Sequence, residues 1–286
     1  MSSNSNQSPT FKRAKLEDTP VHDKVIGTHS GTFQADEAMG CWMLRQLPQY
    51  RNAKVVRSRD PQLLDKCDIV IDVGGVYDHG ALRYDHHQRG YDERFDSGKP
   101  GKNGRCTKLS ASGLVYRHYG KDVLKAYYPG LSDEYIDIAY TKVYDSLLEA
   151  LDAIDTGVEP VADESVEILY KDSTGLSSRV SRLNPRWNEV DDNFEKPKED
   201  ERFELAVTAC GEDFLSVMAS VVESDIPARS FVQKALLNRF EVDPSGEILC
   251  FESGGLPWRN HLYELEKEHK IEKLIKFVLY PDTSGM

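Results

Sequence analysis

The amino-acid sequence predicts an α/β fold, with a mostly parallel sheet, helices on both faces and a smaller C-terminal α+β module. From Lys24 onward, short apolar segments alternate with helical segments, which is the pattern of a parallel sheet. The segment "DIVIDVGG" is apolar at successive positions, as expected of a strand covered on both sides. With 286 residues and 39% hydrophobic content, the chain can form such a core.

Three segments rich in valine and isoleucine predict consecutive strands: "KVIGTH" (24–29), "AKVVRS" (53–58) and "DIVIDVGG" (68–75). The segments between and after them predict helices: "DEAMGCWMLRQLP" (36–48), "DPQLLDKC" (60–67), Lys108–Tyr119 and Asp133–Ile154. Pro48 ends the first of these helices, and Pro61 lies in the first turn of the second. Alternation of strand and helix predicts parallel strands, because a helix can make each crossover.

Three regions are predicted along the chain. Residues 1–24 are rich in Ser, Asn, Gln, Pro and Lys, so we expect a disordered tail. Residues 25–190 form the main domain, in which "STGLSSRVSRLNPRWNE" is expected to form turns. An acidic linker, "EVDDNFEKPKEDE", separates this domain from a smaller module at 200–286.

The C-terminal module is predicted to combine helices with a strand. One long helix begins at Arg202, and "SDIPARSFVQKALLNRF" predicts another with Pro227 in its first turn. The last apolar segment, "LIKFVLYP", predicts a strand.

Charge and hydropathy exclude several classes of protein. The 36 basic and 48 acidic residues give a net charge of −12, which argues against binding nucleic acid through phosphate contacts alone. Divalent cations held by carboxylates can nevertheless reverse the field locally. No apolar run was expected to reach the roughly 18–20 residues of a membrane span, and five scattered cysteines predict free thiols, so we expect an intracellular protein without membrane association.

The segment "RYDHHQRGYDE" contains the consecutive residues Asp85, His86 and His87. Consecutive side chains of a strand point to opposite faces, so three adjacent ligand-type residues indicate a loop. Imidazole and carboxylate together suit Mn, Zn or Co better than calcium. A polar surface loop is the alternative interpretation.

Other candidate ligands lie at the ends of predicted elements. His29 and Asp36 flank the first strand-to-helix turn, and Asp72 ends a buried strand, where a carboxylate needs a partner or a metal. In "LDAIDTG", Asp152 and Asp155 are one helical turn apart on one face. Each also has a simple structural explanation, such as a helix end or a turn. Together they predict a two-metal site.

In this order, the motifs resemble the DHH phosphoesterases and closely their MYG exonuclease branch, the melanocyte proliferating gene family. The resemblance extends from about Val25 to the end of the chain. It is carried by "GTHSGTFQADEA", "RSRDPQLLDKCDIVIDVGGVYD", "RYDHHQRGYDE", "TKLSASGLVYRHYG", "LDAIDTGV", "LSSRVSRLNPRWN" and "FEVDPSGEILCFESGGLPWRNHLYELE". It implies a DHH-like catalytic domain and a Mn²⁺-dependent phosphodiesterase with two ions, Mg²⁺, Zn²⁺ and Co²⁺ being alternatives. In this branch the activity is that of a 3′–5′ RNA exonuclease in the nucleus and mitochondria.

The resemblance also implies roles for individual residues. A catalytic motif is implied for Asp85, His86 and His87, in which Asp85 orients a ligating histidine. The implied metal ligands are His29, Asp36, Asp72 as the bridging carboxylate, His86, and either Asp152 or Asp155, of which Asp155 is favoured. Substrate contacts are predicted for Arg59, Arg89, Arg179, Gly254 and Gly255, with Arg57, Arg83 and Arg182 as further phosphate-binding candidates.

Two features depart from the family pattern. Gln34 stands where the family's first motif has a histidine. If that position is a metal ligand, binding should weaken, because an amide oxygen is a poor ligand; if it contacts substrate, activity should survive. The chain also ends at "LIKFVLYPDTSGM", where relatives continue into a glycine-rich segment, so we expect an incomplete substrate-binding module.

Three hypotheses follow for the function. The leading one is a metal-dependent phosphodiesterase that hydrolyses RNA or a small phosphodiester. The second is a catalytically weak or inactive family member that acts as a metal-binding or scaffold protein. The third and weaker one is a small-molecule phosphatase or pyrophosphatase, because the same pair of metals can attack any accessible phosphate. The sequence leaves the oligomeric state open.

Overall fold

The computed structural model describes residues 10–16, 24–96, 105–161, 165–166, 169–170, 172–189 and 198–282. The chain forms two compact units. The main unit is Ala14–Met218, and the C-terminal unit is Ala219–Met286 together with the chain up to Arg13. The helix that begins at Glu199 therefore lies largely in the main unit, whereas the domain limits 25–190 and 200–286 stay predictions.

The main unit contains a five-stranded sheet, ordered β2 (Lys54–Arg57), β1 (Val25–Thr28), β3 (Ile69–Ile71), β5 (Arg83–Tyr84) and β4 (Tyr77–Asp78). β2, β1, β3 and β5 are parallel, and only β4 is antiparallel to its neighbour. The predicted α/β class with a mostly parallel sheet is confirmed. β4 and β5 were not predicted, because strands of two residues are too short to show a period.

Seven helices of the main unit are described: α1 (Ala35–Gln46), α2 (Pro61–Leu64), α3 (Ala111–Tyr127), α4 (Asp133–Val143), α5 (Glu149–Asp155), α6 (Leu176–Ser181) and α7 (Glu199–Ala219). A π-helical segment, Tyr144–Leu148, interrupts the helix predicted at 133–154. α6 lies where turns were predicted, because its serines suggest turns and six residues give little periodicity.

Helices cover both faces of the sheet. On one face, Val70 of β3 packs with Leu64 of α2 and with Cys67. On the other face, Ile71 lies so close to α1 that a Cβ on Gly40 would be 2.9 Å from its Cδ1. β3 is therefore apolar at successive positions because each of its faces contacts a helix.

α7 contributes an apolar stripe to the core of the main unit. Its buried residues recur every three or four positions: Phe203, Ala206, Val207, Cys210, Gly211, Phe214 and Met218. By length and composition alone, the helical stretch Glu199–Leu237 could cross a membrane. An apolar segment of this length was not predicted from the sequence. That criterion is weak evidence, because core helices of globular proteins also meet it.

The C-terminal unit contains α8 (Ile226–Leu237), α9 (Arg239–Val242), β6 (Ile248–Cys250), α10 (Arg259–Glu268) and β7 (Phe277–Leu279). β6 and β7 are parallel, and α10 lies in the connection between them. The core of this unit contains Val232, Leu236, Leu249, Phe251, Leu262 and Leu265. The predicted α+β character of this module and its last strand are confirmed.

Part of the predicted tail and linker can be compared with the structure. Residues 10–16 form neither helix nor strand, and the Ala14 N–H donates to the Tyr127 carbonyl at 2.7 Å. Residues 1–9 and 17–23 of the predicted tail, and 190–197 of the linker, lie outside the described residues.

The close approach of α7 to α1 provides a test of the packing. A Cβ on Gly211 would lie 2.0 Å from Trp42 Nε1. We expect Gly211→Ala to lower the free energy of unfolding by about 1–3 kcal/mol, because the indole must move within a packed core. Urea unfolding followed by circular dichroism measures this change. Gly130→Ala is the control, because a Cβ there has open space within 4 Å; equal stability of the two variants would contradict the packing.

Candidate metal centre

The carboxyl ends of β1, β3 and β5 meet at one edge of the sheet, since these three strands are neighbours and parallel. His29 follows β1, Asp72 follows β3, and Asp85 follows β5. Asp36 and Glu37 in the first turn of α1, and Asp155 at the end of α5, also belong to groups that could hold a metal here. The fold thus brings together residues that are far apart in the sequence.

Asp72 adopts a backbone conformation that is rare for a non-glycine residue, with φ of +57°. Its N–H donates to the Tyr84 carbonyl at 2.9 Å, which ties it to the end of β5. Gly74 and Gly75, with φ of +104° and +67°, continue the turn. Strained conformations of this kind occur often at functional sites, where the surrounding structure maintains them.

One group of potential ligands consists of His29, Glu37 and Asp72, all of them buried. His29 Nε2 lies 2.9 Å from Glu37 Oε1 and 3.3 Å from Asp72 Oδ2. Sequence reasoning missed Glu37, although "QADEA" contains it. The signal was its position three residues after Gln34, where its Oε1 accepts the Gln34 N–H at 2.8 Å and so positions the carboxylate.

A second group consists of Asp36, His86 and Asp155. His86 Nε2 lies 2.9 Å from Asp155 Oδ2. Asp36 is 1% exposed, and neither of its oxygens has a hydrogen-bond partner among the described residues. The potential ligand atoms of the group lie within 4.8 Å of one another.

Asp85 and His87 form a pair at the exposed side of the cluster. Asp85 Oδ1 is 2.7 Å from His87 Nδ1 and accepts the His87 N–H at 3.1 Å, and its Oδ2 accepts the Gly75 N–H. Burial opposes ionisation, but these hydrogen bonds lower the pKa of Asp85 below its usual value. His86 Nδ1 and His87 Nδ1 each lie 3.6 Å from Asp72 Oδ1, so Asp72 connects both histidines to the first group.

The electrostatics of the cluster favour bound cations. Burial raises the pKa of Asp36 well above its usual value, and repulsion by Asp72, Glu37 and Asp155 raises it further. Burial also raises the pKa of Asp72. Burial alone would lower the pKa of His29, but Asp72 and Glu37 raise it to about 10. Divalent cations could replace the protons that these groups retain.

Unpartnered buried atoms provide a test of whether a metal fits. Buried polar atoms normally form hydrogen bonds. Among the described residues, five such atoms of the cluster have no hydrogen-bond partner: Asp36 Oδ1 and Oδ2, Glu37 Oε2, Asp72 Oδ1 and His86 Nδ1. Carboxylate oxygen and imidazole nitrogen are ligands of Mn²⁺, Zn²⁺ and Co²⁺. The residues therefore fit divalent cations.

Asp152, the alternative ligand to Asp155, is bonded elsewhere. Its Oδ1 accepts the Ser110 N–H at 3.0 Å and the Ser110 hydroxyl at 2.8 Å, and its Oδ2 accepts the Tyr144 hydroxyl at 2.7 Å. Burial raises the pKa of Asp152 to about 7, against the effect of these hydrogen bonds. Residues three apart on a helix differ by about 60° around its axis, so Asp152 can face α3 while Asp155 faces the cluster. The geometry agrees with the preference for Asp155 over Asp152, and the metal-binding role of either residue stays a prediction.

Of the predicted arginines, Arg59 lies beside His29. Arg59 Nη2 is 3.3 Å from His29 Nδ1, and its Nε donates to the Ser30 carbonyl. Arg57 is enclosed instead, with its guanidinium 5.3 Å from the Phe33 ring centroid and 4.9 Å from that of Phe203. Arg59 is the better placed of the two to reach a phosphate at the cluster.

The other predicted substrate residues are dispersed. Arg179 pairs with Asp213 at 2.9 Å, and Arg182 donates to the Ser173 carbonyl. Arg89 is exposed in the loop after His87. Arg83 donates to the carbonyls of Ala81 and Leu82, while Gly254 and Gly255 lie between β6 and α10 in the C-terminal unit. Their substrate roles stay predictions.

Gln34 lies at the wall of a cavity next to the cluster. The cavity has a volume of about 480 Å³, and Asp36 and Asp155 also line it. Gln34 is exposed, whereas Asp36 is buried. α6 forms part of the cavity wall, and the sequence did not reveal the cavity because turns were predicted there.

Comparison with known sequences decides the family. The sequence model MYG1_exonuc, described as "Uncharacterised protein family (UPF0160)", matches residues 25–286. The chain belongs to the MYG1 exonuclease family. Rat MYG1 exonuclease is 47% identical over 262 residues, which cover 91% of this chain and 66% of the rat protein. Human MYG1 exonuclease is 44% identical over 279 residues, covering 97% and 71%.

The family extends beyond mammals. The MYG1 protein of Dictyostelium discoideum is 41% identical over 265 residues, covering 93% of this chain and 77% of that protein. The chain spans about two thirds of the length of the rat relative. No solved structure matches it. The resemblance to the MYG1 exonuclease family is confirmed, and membership of the wider DHH superfamily stays a prediction.

The buried carboxylate of Asp36 generates a stability prediction. We expect Asp36→Asn to raise the free energy of unfolding in EDTA at pH 8 by about 1–3 kcal/mol, because ionised Asp36 is buried without a hydrogen bond. Because folding raises the pKa of Asp36, protonated Asp36 contributes stability that is fully present below the usual carboxyl pKa. This contribution is lost as pH rises through the raised pKa of the folded state. The difference should therefore disappear at about pH 4 and below.

Urea unfolding with and without Mn²⁺ measures this effect. With Mn²⁺ the order should reverse, because the wild type has both candidate cation sites intact and gains more stability from bound metal than a variant that lacks one ligand. Asp122→Asn, at an exposed position of α3, is the matched control. An Asp36→Asn variant that is less stable than wild type in EDTA would contradict the assignment.

Proposed function

We propose that the chain is a divalent-metal-dependent phosphodiesterase that acts as an exonuclease on RNA. The observation that carries the proposal is the convergence of buried carboxylates and imidazoles with unpartnered atoms at the carboxyl edge of the sheet. The family supports it, since the rat and human relatives are named exonucleases. In open α/β sheets, ligands bind at this edge.

Among the described residues, the candidate ligands form three overlapping groups, and Asp72 and His86 each belong to two of them. His29, Glu37 and Asp72 would hold one cation, and Asp36, His86 and Asp155 would hold the other. When bound, such a pair supplies a clamp for the scissile phosphate and lowers the pKa of a water towards about 7. Two Mn²⁺ ions are proposed, as the family resemblance implies.

Residues around the ligands would position the reacting groups. Arg59, beside His29, can bind a phosphate oxygen with its guanidinium. Asp85 contacts His87 Nδ1, so the other ring nitrogen of the 63% exposed His87 side chain remains to donate a proton to the leaving oxygen. In hydrolysis, water forms the new P–O bond and loses a proton to solvent, the bond to the leaving oxygen breaks, and that oxygen takes the proton of His87, which regains one from solvent.

The finer parts of the proposal rest on the resemblance alone. These are the 3′–5′ direction, the preference for Mn²⁺ and a location in the nucleus or mitochondria. In the 3′–5′ direction, the products are a nucleoside 5′-monophosphate and an RNA shortened by one residue.

Cleavage of labelled RNA tests the activity. The protein is stripped with EDTA, Mn²⁺ is restored, and 5′-labelled RNA is followed on a gel. We expect successive shortening by the wild type and a loss of at least about 100-fold in Asp72→Ala, because even residues that only orient metal ligands contribute about 10–100-fold. Asp122→Ala, which changes an exposed carboxylate of α3, should retain wild-type activity. Negligible cleavage by wild type and Asp72→Ala alike would overturn the enzymatic proposal.

Metal content and alternative substrates separate the other hypotheses. Elemental analysis of the enzyme should give about two ions per chain, whereas a metal-free scaffold would bind none. Pyrophosphate and p-nitrophenyl phosphate test the phosphatase hypothesis. Faster release of phosphate from either than of nucleotide from RNA would favour a small-molecule phosphatase.

A further inference from the structure

The cavity beside the metal centre, about 480 Å³ in volume, has a composition that suggests a ligand. Its walls come from the first turn of α1, the end of α5 and α6. Asp36 and Asp155, both proposed metal ligands, lie in its lining. A molecule in the cavity would therefore adjoin the place where a scissile phosphate is held.

The polar lining is largely uncharged. α6 contributes the hydroxyls of Ser177, Ser178 and Ser181, and Gln34 contributes an amide. Ser177 and Ser181 are four residues apart and share a helix face. Hydroxyl and amide groups both donate and accept hydrogen bonds, as sugar hydroxyls and base edges require. Arg182 adds a cation, which suits a ligand with phosphate.

The cavity also has an apolar surface. Ile154 lines it and is 63% exposed, although it directly precedes Asp155. Leu151, three residues earlier in α5, lines it as well. An exposed aliphatic side chain next to a charged cluster can contact the flat face of a base. Small-molecule sites typically measure about 300–1,000 Å³ and combine apolar surface with a few polar groups.

We propose that this cavity binds the sugar and base of a single nucleotide whose phosphate lies at the metal centre. The inference rests on the proposed function and adds to it the place of nucleoside recognition. The serines of α6 and Gln34 bind sugar hydroxyls or base edges, and Ile154 contacts the base. The volume of the cavity, about 480 Å³, accommodates one nucleotide, as the proposed exonuclease activity requires.

Filling the cavity tests the proposal. Ser178→Phe places an aromatic ring among the lining residues, and Ser216→Phe makes the same change at an exposed position of α7. Two substrates are compared: a short RNA, and methyl p-nitrophenyl phosphate, a phosphodiester with neither sugar nor base. We expect the ratio of their kcat/KM values, RNA over small ester, to fall at least about tenfold in Ser178→Phe. Ser216→Phe should keep the wild-type ratio.

Ile154→Ser is a second variant that removes only an exposed side chain. We expect the same direction of change, with higher KM for RNA and metal content equal to wild type. If both cavity variants keep the wild-type ratio, or lose the two activities in equal proportion, the cavity does not recognise nucleosides.

Direct binding separates failure of this inference from failure of the proposed function. Calorimetry with adenosine 5′-monophosphate and Mn²⁺ requires no catalysis. Binding to wild type and Ser216→Phe, with at least about tenfold weaker binding to Ser178→Phe, supports the cavity even if RNA is not cleaved. Equal binding to all three proteins, or binding to none, overturns the inference even if RNA is cleaved.

Discussion

Repulsion among buried carboxylates is the constraint on which the main unit depends. Asp36, Glu37 and Asp72 are each at most 4% exposed, and Asp155 also faces this cluster. Such a group destabilises a fold unless protons or cations neutralise it, because burial in low dielectric penalises each charge. Histidines on two sides and unpartnered oxygens in the middle are consistent with an arrangement built for cations. The proposed metal-binding role would account for this cost to stability.

Close packing and backbone hydrogen bonds hold these carboxylates in place. Asp72 is kept in the left-handed region by its link to β5, and α1 packs so closely on β3 that Gly40 has no room for a side chain. Asp152 accepts hydrogen bonds from Ser110 and Tyr144, and thereby joins α5 to the start of α3. This junction fixes the end of α5 and therefore positions Asp155. Asp152 thus helps to position Asp155, although only Asp155 belongs to the cluster.

The sequence predicted the strands and ligands that follow from local residue patterns. It missed those that depend on contacts between residues distant in the chain. β1, β2 and β3 were predictable because valine and isoleucine are concentrated there, and Asp72 because a buried strand ends in a charge. Glu37 was missed because an acidic residue three positions after the N-cap of a helix is ordinary capping chemistry. Asp152 and Asp155 could not be separated by spacing alone. Asp152 differs from Asp155 because it accepts hydrogen bonds from Ser110 and Tyr144. Ser110 is distant in sequence, and Tyr144 lies in a π-helical segment that the sequence periodicity does not reveal.

Gln34 acquires a different meaning from its position. The family resemblance implies a histidine at this position, and its replacement by Gln34 either weakens metal binding or alters contact with substrate. The ligand candidates Asp36 and Glu37 are buried, whereas Gln34 is exposed in the wall of the neighbouring cavity. Its backbone N–H still positions Glu37, and that bond does not depend on the identity of the side chain. An amide at this wall can still donate and accept hydrogen bonds, but it cannot carry an imidazole's proton. The departure therefore favours a change in substrate contact over a loss of the metal centre.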